Sequence, residues 1–391
     1  MKKGMGEAMG ELGLTREWRV IEGLIDASPG AVGMDPSQLN KLDRHFKALQ
    51  EDGKIQGAGY IVSRHGQIVA CRTMGPLTGT TGEGEFRPDS LRKLSSITKA
   101  FTSVAVAKLI EDGMLYADQP VSSILGEFDN PTHGGITIFH LLTHTSGLMP
   151  VPGYYNEPYP RERRGKDSVN DWIREALQGT PVCKPGEAYN YSAEGFKLLG
   201  EIIGRVSGMP YEQYVKLNLL QPLGLNHTFF RVPEHLRAKV MTVDQHDLDS
   251  LALSREAEPG SPPHSDSGLY STMYDLWKFG QMLLNGGRFG DTRILGRKTV
   301  ELLTKRHLFQ VPAFHWGGEI RDKGHALGLD LAIDHMSFES IGTYQLEGAG
   351  RSALFVDPAE QMVVVLFVPS IYSWIPHSIL GTKQIIWSSL I

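Results

Sequence analysis

Apolar residues recur at helical spacing over residues 36–50 (Leu39, Leu42, Phe46, Leu49), behind an Asp35-Pro36 step that suits a helix start. The stretch "GAGYIVSRHGQIVACRTMG" (57–75) then shows two apolar runs around Arg64-His65-Gly66, the pattern of a β-hairpin. From Ile97 the residues Ala100, Phe101, Val104, Ala105, Val106, Ala107, Leu109 and Ile110 are apolar on most faces of a helix, so a central helix packed on several sides is predicted. It stops at Glu111-Asp112-Gly113. Between Asp118 and about Pro263 the strand signal fades, and helical patterns occupy 136–144, 168–178, 192–206 and 211–219. Beyond the turn-rich "EAEPGSPPHSDSG" (256–268) come a helix at 273–285 and strand-like runs at 325–334 and 341–346. A closing hairpin, "SALFVDPAEQMVVVLFV", turns at Asp357-Pro358, and a last helical pattern follows.

Strands at both ends with helices between them predict an α+β fold: an antiparallel sheet flanked by helices, carrying an inserted all-helical domain. The boundaries expected are a leader at 1–35, an α/β sandwich formed by 36–117 and 264–391, and a helical domain at 118–263. No internal repeat or low-complexity segment interrupts this scheme.

Composition narrows the function without choosing it. The 391 residues, 41% hydrophobic and 21% charged, are those of an ordinary folded chain, and a net charge of −5 argues against a general nucleic-acid binder. The one basic cluster, Arg161-Glu-Arg-Arg-Gly-Lys166, is broken by a glutamate and a glycine and reads as a solvated loop. Two cysteines, Cys71 and Cys183, make neither a disulfide framework nor a zinc site. "MKKGMGEAMGELGL" lacks the continuous apolar core of a signal peptide, and "MVVVLFV" (362–368) is strand-sized, so a soluble, cytoplasmic protein is expected.

Chemistry enters at "KLSSITKAF" (93–101), where a lysine sits at the head of the most apolar helix. Lysine is rarely buried without a partner. Ser95 or Ser96 occupies the N-cap position, and Ser96 and Lys99, three apart, share a helix face, where the amine could take the hydroxyl proton. Free N–H groups at a helix start also suit an oxyanion. About one S-x-x-K arises by chance in a chain this long, so the pair needs company. A tyrosine could supply it by relaying a proton to the leaving group. Tyr191 stands just before a helix capped by Ser192, with Tyr189 a rival on spacing.

Five motifs come in one order: Ser96-Ile-Thr-Lys99, "HLLTHTSGL" (140–148), "KPGEAYNYS" (184–192), "GLYSTMYDLWKFGQMLLNGG" (268–287) and "GAGRSALFVDP" (348–358). Together, over roughly residues 35 to 370, they resemble the serine β-lactamase and penicillin-binding-protein superfamily. The resemblance is to its class C-like branch, with family VIII carboxylesterases, D-aminopeptidases and some acyltransferases. It implies Ser96 as nucleophile with Lys99 and Tyr191 as its proton-handling partners. It also implies a third motif at Leu346-Glu347-Gly348, with Glu347 and Gly348 against the substrate, and an oxyanion hole of the Ser96 and Ala349 backbone N–H groups.

Two positions depart from the β-lactamase pattern. The asparagine of Tyr-x-Asn is Ala193, and the third-motif lysine is Leu346 beside Glu347. Both tilt toward a neutral ester. The function expected is a serine hydrolase of carboxylic esters working through an acyl-enzyme, needing no cofactor and no metal, with a small-molecule ester or acyl donor as its partner and neither nucleic acid nor membrane. An acyltransferase of secondary metabolism with the same three residues, an amide- or β-lactam-directed hydrolase and a binding protein with a disabled site are the alternatives. Three decoys are set aside. His140 and His144 have zinc-like spacing but no completing glutamate. "HSDSG" (264–268) mimics S-D-N but reads as a turn, and Trp316-Gly317-Gly318 copies an esterase third motif away from the final hairpin. The aromatic-rich 150–160 and 307–316 are expected to line the entrance.

Overall fold

Apolar runs from both ends of the chain meet in one antiparallel sheet in the computed structural model, which describes residues 19–148, 173, 176–177, 181–254, 264–315, 318–320, 322–334, 337–350, 352–370 and 376–391. Its seven strands are β1 (Val20–Glu22), β2 (Ala58–Arg64), β3 (Gln67–Met74), β4 (Asp330–Leu331), β5 (Tyr344–Gly348), β6 (Ser352–Asp357) and β7 (Met362–Phe367). They lie in the order β1-β3-β2-β7-β6-β5-β4. The β2–β3 hairpin turns through His65 and Gly66, at φ 54° and 76°, the left-handed pair that a two-residue turn needs to follow strand twist. The C-terminal hairpin joins this N-terminal one directly, Val364 opposite Val62. Sequence-distant strands thus form the sheet centre.

Period-two alternation divides the sheet into two faces. Tyr60, Val62, Phe355, Val364 and Leu366 face Phe46 of helix α1 (Lys41–Glu51) and Trp387 of α5 (Pro376–Trp387). Ile61, Leu354, Val356, Val363 and Val365 face the other way, toward α2 (Thr98–Glu111) and α4 (Met273–Leu284). The rings of Phe101 and Phe279 stack at 3.8 Å between those two helices. Helix α3 (Ala193–Ser207) shares the cluster through Phe196, Leu199 and Ile203. Helix α2 is therefore enclosed by the sheet layer on one side and by α3 on the other, which accounts for its all-round apolar sequence.

Several expectations shift in detail. The stretch read as a leader contributes β1, whose Val20 pairs with Met74; three residues are too few to show a strand period in sequence. The strand expected over 325–334 shrinks to Asp330–Leu331, because Gly328, at φ 78°, turns the chain just before it. The region 118–263 holds helices at Ile138–Leu142, Tyr211–Val215 and Gln245–Leu253 besides α3. It also contributes a short strand, Tyr189–Asn190, parallel to Ala313–His315. Of the helix expected at 168–178, residues 173, 176 and 177 are helical and the rest lies outside the described residues. So do residues 149–166, which hold the basic cluster and the first entrance segment, and 255–263. Among the described residues, no helix is long and apolar enough to cross a membrane.

Helix α4 reaches the sheet only because Gly280 has no side chain. A Cβ there would stand 2.8 Å from Val363 Cγ1 and 2.9 Å from Leu354 Cδ1. Gly280→Leu is expected to lower stability by roughly 1–3 kcal/mol through overpacking, read as a lower denaturation midpoint in urea.

Candidate active site

The segment that carries Ser96 hangs from a two-strand ladder, Arg92–Lys93 against Tyr270–Ser271, extended by the Leu94 N–H donating to Leu269 O at 2.7 Å. The chain then bends sharply. Ser95 has φ 48°, in the left-handed region, and Ser95–Ile97 forms a single 3₁₀ turn ahead of α2. The N-cap expectation is corrected here: neither Ser95 nor Ser96 makes a side-chain cap, because the 3₁₀ turn occupies the helix entrance. The Ser96 hydroxyl is left for other partners.

Two groups converge on it. Lys99 Nζ lies 3.4 Å from Ser96 Oγ, and the Tyr191 hydroxyl donates to the same oxygen at 2.7 Å. Lys99 is 1% exposed. Its ammonium also donates to the backbone oxygen of Asp266 at 2.9 Å, and it sits 4.9 Å from the centroid of the Tyr191 ring and 5.7 Å from that of Phe196. A carbonyl and two ring faces supply what water would give an exposed ammonium. The three sequence-picked side chains are thus together, from the 3₁₀ turn, the first turn of α2 and the segment that precedes the Ser192 cap of α3.

The rival tyrosine goes elsewhere. Tyr189 is buried, its ring 5.6 Å from that of His144 and 5.2 Å from that of His325, with Lys323 Nζ 5.3 Å from its centroid. Successive strand residues point to opposite sides, so Tyr189 and Tyr191 share one side, and the start of α3 carries only Tyr191 to Ser96. Ser192 caps α3 by accepting from the Gly195 N–H at 3.2 Å, which holds the end of that short strand rigid.

Strand β5 borders the turn from the far side. A Cβ on Gly348 would fall 2.2 Å from Leu94 O and 3.4 Å from Ser95 Cβ, so glycine is what allows β5 to lie against the segment that carries Ser96. Ala349 follows in the exposed β5–β6 turn, and Glu347 is half-buried. Leu346 is packed into the core beside α2 and α4. Arg351, Trp316 and Gly317 lie outside the described residues, while Gly318 pairs with His315 in a separate small sheet beside Tyr189–Asn190.

Two contributors escaped the sequence reading. The "HSDSG" turn supplies the Asp266 carbonyl to Lys99. The turn is pinned by Ser265 Oγ donating to Phe196 O at 2.9 Å and by Thr102 Oγ1 donating to Ser265 O at 2.6 Å. A backbone oxygen has no residue signature. His144, by contrast, stands in "HLLTHTSGL", where its spacing from His140 suggests only a metal pair. It is buried at φ 55°, with its ring 4.6 Å from that of Tyr191. Burial, then His325, then Lys99 hold its pKa well below the ordinary 6.5. His140 does not share a metal site with it: its Nδ1 faces Thr137 in a capping box, and no group of three or more potential ligands stands together among the described residues.

Comparison with known proteins agrees with this architecture. A family model described as Beta-lactamase matches residues 42–372. The chain is 28% identical to Esterase EstB of Burkholderia gladioli, over 88% of this chain and 94% of that protein. It is 25% identical to a Putative D-alanyl-D-alanine carboxypeptidase of Escherichia coli O157:H7, over 92% and 88%. Among solved structures, EstCE1, "a hydrolase with promiscuous acyltransferase activity", superimposes with a TM-score of 0.72 at 20% identity, covering 90% of this chain and 99% of that one. With the expected sheet and helices in place and most of its length matched, the chain belongs to the beta-lactamase family, within the serine β-lactamase and penicillin-binding-protein superfamily.

Proposed function

We propose that this enzyme hydrolyses carboxylic esters through an acyl-enzyme on Ser96. The observation that carries the reading is the convergence of Lys99 Nζ at 3.4 Å and the Tyr191 hydroxyl at 2.7 Å on one serine oxygen. Ser96 Oγ attacks the ester carbonyl, and its proton passes to the coupled Lys99–Tyr191 pair, which reacts in the form lacking one proton, a neutral amine beside the phenol or an ammonium beside the phenolate. The tetrahedral oxyanion takes hydrogen bonds from the Ser96 and Ala349 backbone N–H groups. The tight approach of Gly348 to Leu94 supports that pairing by bringing the end of β5 beside the nucleophile turn. Collapse of the intermediate breaks the C–O bond, and Tyr191 returns the proton to the leaving alcohol. Water, activated by the same pair, attacks the acyl carbonyl, and the acid leaves as Ser96 regains its proton.

An ester is preferred over an amide or a β-lactam for reasons of charge and shape. Ala193 and Leu346 offer neither the amide nor the ammonium that would greet an acylamino side chain or a carboxylate, and Glu347 and Gly348 are the residues proposed to border the substrate. The partial identity to Esterase EstB points the same way. A small neutral ester or acyl donor is therefore the proposed partner.

Ser96→Ala is expected to abolish acyl-enzyme formation from a short-chain p-nitrophenyl ester, followed by intact mass. Lys99→Ala and Tyr191→Phe should each lower kcat by about 10²–10⁴-fold, the usual worth of a positioned acid or base. A Lys99→Ala enzyme cleaving the ester at the parent rate sinks the mechanism. The charge reading carries its own test: kcat/KM for a neutral p-nitrophenyl ester should exceed that for nitrocefin, and the reverse order would point to the β-lactam-directed alternative.

A further inference from the structure

His144 holds the residues on both sides of Tyr191. Its carbonyl accepts the Asn190 N–H at 2.8 Å, and its Nδ1 accepts the Ser192 N–H at 3.0 Å. Between those two bonds its ring lies 4.6 Å from the Tyr191 ring at a tilt of 34°. A residue at φ 55° without being glycine is uncommon, and here that backbone setting accompanies both contacts at once. We propose that His144 is a positioning residue for Tyr191, fixing the phenol on Ser96 through its Nδ1 acceptor and its ring. This inference rests on the ester-cleaving reading above and adds to it how the proton relay is held in place.

The acceptor role dictates the proton inventory. With Nδ1 accepting, the neutral ring carries its proton on Nε2. A second proton would have to sit on Nδ1, facing the Ser192 N–H, and would turn that hydrogen bond into a donor–donor clash. Every packed element bears on this balance. Lys99 from α2 and Lys323 disfavour the added charge, as does His325, whose ring is 5.5 Å away. Asp330 favours it, but its Oδ1 is 2.9 Å from both His325 Nδ1 and Lys323 Nζ. Tyr189, Tyr191 and Phe196 complete the enclosure with aromatic rings. The sign follows from the lowered pKa. The neutral form's contribution is complete above the ordinary 6.5 and is lost as pH falls from there toward the folded-state value. In the folded enzyme the ring takes that proton only well below 6.5, so near neutral pH the acceptor stays in place.

The test is a cycle of variants. His144→Phe keeps a ring but no acceptor, and should lower kcat about 10²-fold, the cost of a misplacement near 1 Å, with KM within about twofold. His144→Asn places an amide oxygen where Nδ1 stood and tolerates positive φ, so it should retain most of kcat at pH 8. In the Tyr191→Phe background, His144→Phe should cost little further, read as the rate of Ser96 capture by a fluorophosphonate, which stays measurable at low turnover. Parent kcat in His144→Phe, or equal losses in both backgrounds, overturns the positioning role and leaves the proposed function standing. Parent kcat in Tyr191→Phe alone removes the proposed function itself.

Discussion

The site is organised around one buried ammonium. Taking a charge out of water costs several kcal/mol even after the surroundings relax, so Lys99, 1% exposed, is tolerable only with its hydrogen bonds supplied. The Asp266 carbonyl and Ser96 Oγ meet two of them, and the faces of Tyr191 and Phe196 cover more of its surface. Each partner must itself be fixed. Thr102, one turn further along α2, bonds the Tyr211 hydroxyl at 2.7 Å and the Ser265 carbonyl at 2.6 Å, so the helix that carries the lysine also anchors the turn that solvates it. Loosening that turn would leave an under-solvated charge in the core.

This constraint explains why the architecture was more legible than the site. The hairpin at His65-Gly66, the central helix, α4 and the closing hairpin follow from period-two and period-3.6 patterns, because each buries one face or all faces against a sheet. Ser96, Lys99 and Tyr191 were legible because side chains carry residue identity and the motif order supplied their register. The Asp266 carbonyl was not, since any residue presents the same oxygen. Short edge strands such as Val20–Glu22 and Tyr189–Asn190 were missed for another reason: they exist through pairing with distant chain, and two or three residues show no period.

The serine N-cap expectation failed in an instructive way. A capping hydroxyl is committed to a backbone N–H, and a committed oxygen is a poor nucleophile. The chain instead enters α2 through a 3₁₀ turn with Ser95 at φ 48°. Local strain of that kind persists only where packing over-determines it, and the neighbouring contact does so: β5 approaches so closely that only glycine fits at position 348. The strain, the glycine and a hydroxyl turned to Lys99 and Tyr191 instead of to a cap are parts of one arrangement.

Charge in the cleft then bears on what can be recognised. Lys99 spends two of its three N–H donors on Asp266 and Ser96 and is 1% exposed, so it presents little to a substrate anion. At the third-motif position the side chain is Leu346, committed to the core, and its neighbour Glu347 is acidic. On the proposed reading, orientation of a substrate would come from shape and apolar contact. Such contact binds ground state and transition state alike, so discrimination between acyl groups would show chiefly as differences in KM. In the proposed mechanism the oxyanion donors and the Lys99–Tyr191 pair would act on groups that every ester shares. On the proposed reading the cleft would separate substrates by size, since one methylene in an apolar pocket is worth about 1–3 kcal/mol.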